Sequence, residues 1–343
     1  MSRSSEYTYT PAWWVPGAHL QTLWGKLVRR APRVDTRVER WATPDGDEIE
    51  LRRLDAPLER ADTPRLLLLH GLEGTIDSVY LLGTLAEARA RGWAADVLIF
   101  RTCNGEMNRA RRMYHSGETT DLDFVVRRLV TTHPRQPLVA AGFSLGGNVL
   151  LKWLGEQGDA APLQLVAAAA VSVPFDLERG SRHIERGFAR VYGRHFLRTL
   201  RDKALAKLRV FPDLFDKAAL DRARTLFDFD EVVTAPVHGF LNASDYYSRS
   251  SSLRFLPHIR RSTLLLSARN DPFLPPEILD HVAAMARDNH CLQTEFHELG
   301  GHVGFVSGLS PFRSRYYAEW RVVDFLGQAV HDAADRLFKE ESA

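Results

Sequence analysis

Apolar positions along this chain follow two alternating rhythms. Arg37–Ala42 and Glu48–Leu54 alternate apolar and polar residues on either side of Pro44-Asp45-Gly46-Asp47, which predicts an antiparallel hairpin at one edge of a sheet. Arg65–Leu69 is a nearly pure leucine run, the pattern of a strand buried on both faces. Short apolar runs at Trp93–Phe100, Leu138–Ala141, Leu165–Val173, Ser262–Ser267 and Gln293–Glu298 predict further strands. Between them a 3.6-residue period predicts helices over Leu81–Arg91, stopped by Gly92, from Thr120 through Leu129, behind residue 144 through Leu154, over Pro276–Asp288 and over Tyr316–Leu337. Thr120 and Asp123 have the spacing of a capping box for the second of these. Strand and helix in alternation imply an α/β fold built on an eight-stranded, mostly parallel sheet.

The rhythm breaks in two places. Residues 8–30, with Trp13, Trp14, Trp24 and two prolines, read as an extended arm, not helical in its first part, fixed over the core by aromatic clamps. Residues 175–261 are helical and rich in Phe and Tyr, which reads as a cap inserted over the C-terminal edge of the sheet. The expected division is therefore residues 1–174 as the first part of the core (arm 1–35), 175–261 as the cap, and 262–343 as the second part of the core. Within the cap Arg182, Arg186, Arg190, Arg194 and Arg198 fall four apart, a basic ridge around a helix interrupted by Gly187 and Gly193. A solvated face accounts for the ridge, and attraction to acidic headgroups, a peripheral membrane contact, is the alternative. The last six residues, 338–343, read as a frayed tail.

Composition narrows the function. A net charge of +2 gives no reason to expect nucleic acid, and two cysteines, Cys103 and Cys291, make no disulfide framework, which fits a reducing cytoplasm. No apolar run approaches the roughly 20 residues of a membrane span. No His and Cys cluster has zinc spacing, so neither a metal nor a cofactor is expected.

The chemistry concentrates at strand ends. Gly142-Phe143-Ser144-Leu145-Gly146 joins an apolar strand to a helical pattern, the context of a nucleophile elbow that presents Ser144 above the sheet. His70-Gly71-Leu72-Glu73-Gly74 closes an earlier strand, and the backbone N–H groups of Leu72 and Leu145 are the candidate oxyanion donors. Asp271, in Asn270-Asp271-Pro272, and His302, between Gly301 and Val303-Gly304, end two later strands. The order Ser144, Asp271, His302 suits a nucleophile, an orienting acid and a general base. Asp245 and Asp280 follow no strand directly, His281 and His290 compete weakly, His297 is fixed on a strand, and His115 precedes the serine and reads as structural. The long loop 101–122 holds Cys103 and Asn104, and loops of that length commonly carry function.

The chain resembles the YheT-like α/β hydrolases, which group with the eukaryotic alpha/beta-hydrolase-domain ester lipases. The likeness runs nearly end to end, through PGAHLQT, DGDEIEL, HGLEG, RTCNGEMN, YHSGETTDL, GFSLGGN, DYYSRSS, ARNDPF and GGHVGF. It implies an α/β-hydrolase fold with a cap, a serine esterase that cleaves small-molecule acyl esters, medium-chain or lipid-derived, and catalytic roles for Ser144, Asp271 and His302. Some relatives pass the acyl group to an alcohol, so acyl transfer is the first alternative and a noncatalytic binding protein the lesser one. Thr102 stands where the family pattern leads one to expect glycine.

Overall fold

The computed structural model describes residues 8–58 and 63–341, with side chains as far as residue 335; part of the connector 57–64 and the end of the tail lie outside the described residues. Eight strands form one sheet: β1 (Arg37–Ala42), β2 (Glu48–Leu54), β3 (Arg65–Leu69), β4 (Ala94–Ile99), β5 (Leu138–Phe143), β6 (Leu165–Val171), β7 (Ser262–Ala268) and β8 (Leu292–His297). Their order in space is β1-β2-β4-β3-β5-β6-β7-β8. The hairpin β1–β2 and the pair β2–β4 are antiparallel, and every other pairing is parallel. All residues of β3 and β5 are buried, which is why their sequences are apolar runs without alternation. From β3 the chain steps outward to β4 and then back across β3 to β5. Loops leaving β3 and β5 therefore diverge at their C-terminal ends, and open α/β sheets hold their sites in that crevice.

Helices α1 (Gly17–Leu27), α2 (Val79–Ala90), α3 (Thr120–Thr132) and α4 (Leu145–Gln157) precede β6, and α11 (Glu277–Arg287) and α12 (Tyr317–Glu341) belong to the last part of the chain. Between β6 and β7 the described structure is entirely helical: α5 (Leu177–His183), α6 (Arg190–Val210), α7 (Lys217–Arg222), α8 (Leu226–Phe229), a π-helical turn Asp230–Thr234, α9 (Ala235–His238) and α10 (Ala243–Ser250). The two roots of this segment are bonded to each other. Leu253 N–H donates to the Phe175 carbonyl at 3.0 Å, and Leu177 N–H donates to Ser251 Oγ at 3.0 Å. Asn148, fully buried in α4, fastens them to the sheet: its Nδ2 donates to the carbonyls of Ser116 and Ser250, and its Oδ1 accepts from Ser252 N–H. Among the described residues no helix is long and apolar enough to cross a membrane.

Three local expectations are corrected. The arm turns at Ala12–Val15 and from Gly17 forms α1, where Trp14 and Trp24 pack edge to face at 4.9 Å while Trp13 is exposed. No capping box opens α3: its N-cap is Thr119, the Thr120 amide is taken by the Glu118 carboxylate at 2.7 Å, and Asp123 pairs with Arg127 instead. The arginine ridge does not follow one helix. Arg182 lies on α5, Arg186 in the break that follows, and Arg190, Arg194 and Arg198 on α6, which Gly193 does not interrupt.

Charge inside the sheet is unexpected from the sequence. Asp96 in the middle of β4 is wholly buried between Arg53 on β2 at 2.6 Å and Arg65 on β3 at 2.8 Å. Arg101, also buried, gathers Asp45 and Asp47 of the hairpin turn and Asp121 of α3 within 2.7–2.9 Å.

Candidate active site

Ser144 sits between β5 and α4 with φ +51°, a left-handed conformation that a residue with a Cβ adopts only under constraint. The constraint is close packing of backbone. A Cβ on Gly146 would lie 2.5 Å from the His70 carbonyl oxygen, and one on Gly142 would lie 2.4 Å from the Gly146 carbonyl oxygen, so both flanking positions require glycine. The turn is thus wedged against the loop that ends β3, and Gly71 would bring a Cβ to 3.2 Å from that of Ser144.

That loop is held on several sides. His70 is fully buried, and burial pushes its imidazole down to about 4, so it is neutral; Nε2 accepts from the Phe100 amide at 3.0 Å and Nδ1 donates to the Gly71 carbonyl at 2.7 Å. Gly71 N–H donates to Tyr80 OH. Glu73 adopts φ +56°; its amide donates to Tyr114 OH at 3.0 Å, the same hydroxyl donates to its carboxylate at 2.6 Å, and Lys203 of α6 pairs with that carboxylate at 2.8 Å. Among the described residues the amides of Leu72, in this loop, and Leu145, the first residue of α4, have no acceptor. Two free N–H donors therefore flank the elbow.

His302 and Asp271 meet from separate loops. Asp271 Oδ2 lies 2.8 Å from His302 Nδ1, and Asp271 is buried and steadied by the Phe273 amide on Oδ1 at 2.8 Å. The ring of Phe273 packs on the imidazole at 4.1 Å. Three anchors hold the loop itself: Asn270 Oδ1 accepts from Gly300 and Gly301, Thr22 Oγ1 of α1 accepts from the His302 amide, and Ser172 Oγ accepts from Val303. Sequence reasoning missed Thr22, and only the GAHLQT stretch in which it lies hinted at a role. The rival groups are engaged elsewhere. Asp245 Oδ2 bonds Leu241 N–H at the start of α10 and pairs with Arg249, Asp280 pairs with Arg269, and His297 bonds Glu295. His115 is half-buried, its basicity lowered by desolvation, and it accepts from the Gly117 amide. Burial pushes the Cys103 thiol up to about 11, which leaves it unreactive as a nucleophile.

Ser144, His302, Leu72 and Leu145 line a single cavity of about 600 Å³, with Asp271 immediately behind the histidine. Its walls come from α1, the loop after β3 and the helices between β6 and β7, including Leu23, Ile184, Phe196, Leu200, Leu226 and Phe229. Among the described residues no cluster could hold a metal ion. An apolar chamber with a serine, a hydrogen-bonded His–Asp pair and unengaged amides holds groups that acyl chemistry would use.

A family model described as alpha/beta hydrolase fold matches residues 64–309, which agrees with the sheet order and defines the class. The chain is 37% identical over 325 residues to "Putative esterase YheT" of Escherichia coli (strain K12), covering 94% of each chain, and 31% identical over 315 residues to "Phospholipase ABHD3" of Mus musculus, covering 90% of this chain and 76% of that one. The protein therefore belongs to the YheT-like α/β hydrolases. A "Monoacylglycerol lipase" of Saccharomyces cerevisiae is 30% identical over 266 residues, 75% of this chain and 57% of that one. Among solved structures the Pyrococcus furiosus esterase Pf2001 superposes with a TM-score of 0.52 at 16% identity, over 80% of this chain and 88% of that one, a likeness of fold alone.

Proposed function

We propose that the protein is a cofactor-free serine esterase that hydrolyses carboxylic esters with medium-chain or lipid-derived acyl groups through an acyl-enzyme. The observation that carries this reading is the strained Ser144 turn opening on the same cavity as a His302 already bonded to buried Asp271. In this reading Ser144 Oγ attacks the ester carbonyl as His302 takes its proton, and the Leu72 and Leu145 amides receive the developing oxyanion. His302 then protonates the leaving alcohol and activates the water that releases the acid. Asp271 holds the imidazole with Nδ1 protonated, leaving Nε2 to exchange protons with Ser144. Residues 175–261 serve as a cap whose apolar side chains receive the acyl chain, each buried CH2 contributing about 0.8 kcal/mol until the space is full. The names of the relatives, an esterase, a phospholipase and a lipase, support an ester substrate.

The test is labelling with a fluorophosphonate together with turnover of p-nitrophenyl octanoate. Ser144→Ala is expected to abolish labelling and to lower turnover by roughly 10^3 to 10^6, because positioning and oxyanion binding retain only residual catalysis. Undiminished labelling of the alanine variant, or no labelling of the native protein, overturns the assignment.

A further inference from the structure

The acidic groups of the cavity are not equivalent. Glu73 is paired with Lys203, Glu319 with Arg29, and Asp77 is exposed. Asp230 also lines the cavity, yet among the described residues it has no cationic partner. Its two oxygens accept only from neutral hydroxyls, Oδ1 from Thr234 Oγ1 at 2.5 Å and Oδ2 from Tyr247 OH at 2.6 Å. The π-helical turn Asp230–Thr234 begins at this residue and contributes both its ends to the cavity wall. Such turns are rare and are frequent at functional sites.

The surroundings complete a recognisable chemistry. Tyr246 and Tyr247, 5.1 Å apart between ring centroids, line the cavity beside the carboxylate, and burial first, then its charge, holds both phenols well above their ordinary pKa. Phe229 adds an apolar face. A carboxylate has about four acceptor sites, so each oxygen retains capacity after its single bond. Burial pushes the Asp230 carboxyl up to about 6, and none of the cations that line the chamber is bonded to it among the described residues. A cation brought by the ligand would relieve that cost, and aromatic faces beside an anion favour an ammonium group.

We propose that Asp230, with the rings of Tyr246 and Tyr247, forms a subsite for a substituted ammonium group, so that the cavity selects esters carrying a positive charge. The substrate part of this proposal rests on the esterase reading; the binding of an ammonium ion does not. The test compares kcat/KM for butyrylcholine with that for its neutral isostere 3,3-dimethylbutyl butyrate. The native protein is expected to favour the cationic ester by about 10- to 100-fold, the range of a charge-assisted contact. Asp230→Asn is expected to lower that ratio by at least about tenfold, and the ratio cancels any loss common to both esters. No preference in the native protein, or a preference that survives in Asp230→Asn, overturns the subsite. If neither ester is turned over, p-nitrophenyl octanoate and fluorophosphonate labelling still decide the esterase reading, and the subsite is then decided by thermal unfolding of the native protein. Tetramethylammonium chloride at millimolar concentration should raise the midpoint above that in equal sodium chloride, and equal midpoints overturn the proposal. The same measurement decides the matter if Asp230→Asn does not fold.

Discussion

The sheet and the helical segment between β6 and β7 bury charge in opposite ways. In the sheet, buried ions answer each other: Asp96 lies between Arg53 and Arg65, and Arg101 is enclosed by Asp45, Asp47 and Asp121. In the helical segment they face neutral partners. Lys207 of α6, fully buried, donates to the carbonyl and side-chain oxygens of Asn108 at 2.8 and 2.7 Å, and desolvation pulls it down to about 8. Asp230 receives only hydroxyls. Closed ionic networks fix strand neighbours, whereas Asp230, left open on a cavity wall, is available to a ligand. The candidate catalytic groups lie along the seam between the two regimes.

The largest effect expected at that seam is for Asp271→Asn, which should reduce ester turnover by up to about 10^4 through the wrong imidazole tautomer. Asp245→Asn, in the helical segment, should leave kcat near native, because Asp245 serves a helix start and Arg249. Steady-state kinetics on both variants decides it, and the reverse pattern would move the orienting acid out of the sheet. Next comes the closed network itself. Asp96→Asn leaves two buried guanidinium groups without their shared carboxylate and should cost about 3–5 kcal/mol in urea unfolding; a loss below about 1 kcal/mol would mean that the sheet's ions are not coupled as described.

A partly buried ion pair crosses the seam, Lys203 of α6 with Glu73, next to the Leu72 amide. Lys203→Met should lower kcat by about 10- to 100-fold by leaving an unanswered carboxylate near the developing oxyanion, and adding Glu73→Gln should restore most of it. Additive losses in the double variant would reduce the pair to packing. The smallest effect concerns Thr102, which lines the cavity at φ +69° with a buried hydroxyl that has no partner among the described residues. Thr102→Gly should raise stability by about 1 kcal/mol by removing left-handed strain and an unsatisfied hydroxyl, measured as a shift in the urea midpoint. A loss of stability would show that the threonine is accommodated better than its backbone implies.

These contrasts track what could be read from the sequence. Strands such as Leu66–Leu69 announce themselves because both faces are buried, and the glycines around Ser144 do so because only a missing Cβ lets the elbow touch the loop after β3. That Asp271 and His302 end separate strands was legible from their order, and the structure places them 2.8 Å apart. The contacts that steady them were not legible. Thr22 and His302 are 280 positions apart, and a threonine inside a helical stretch carries no mark of the amide it will receive. Asp96 hides in a strand whose other residues are apolar or small, and its partners come from two other strands. The π-helical turn has no sequence signature, so Asp230 could not be singled out from the many acidic residues on helices. Likewise α1 was obscured by the prolines and tryptophans that precede it.

The bonded roots of the helical segment have a consequence for how such a protein diverges. The chain leaves the sheet near Phe175 and returns near Leu253 through a gate closed by its own hydrogen bonds and latched by Asn148. Recombination within the segment can therefore lengthen, shorten or exchange it without any strand changing neighbours, since the pairing of Ala169 with Leu264 across β6 and β7 does not depend on what lies between. Chamber walls can be rewritten as a cassette while the elbow and the His–Asp pair are inherited intact.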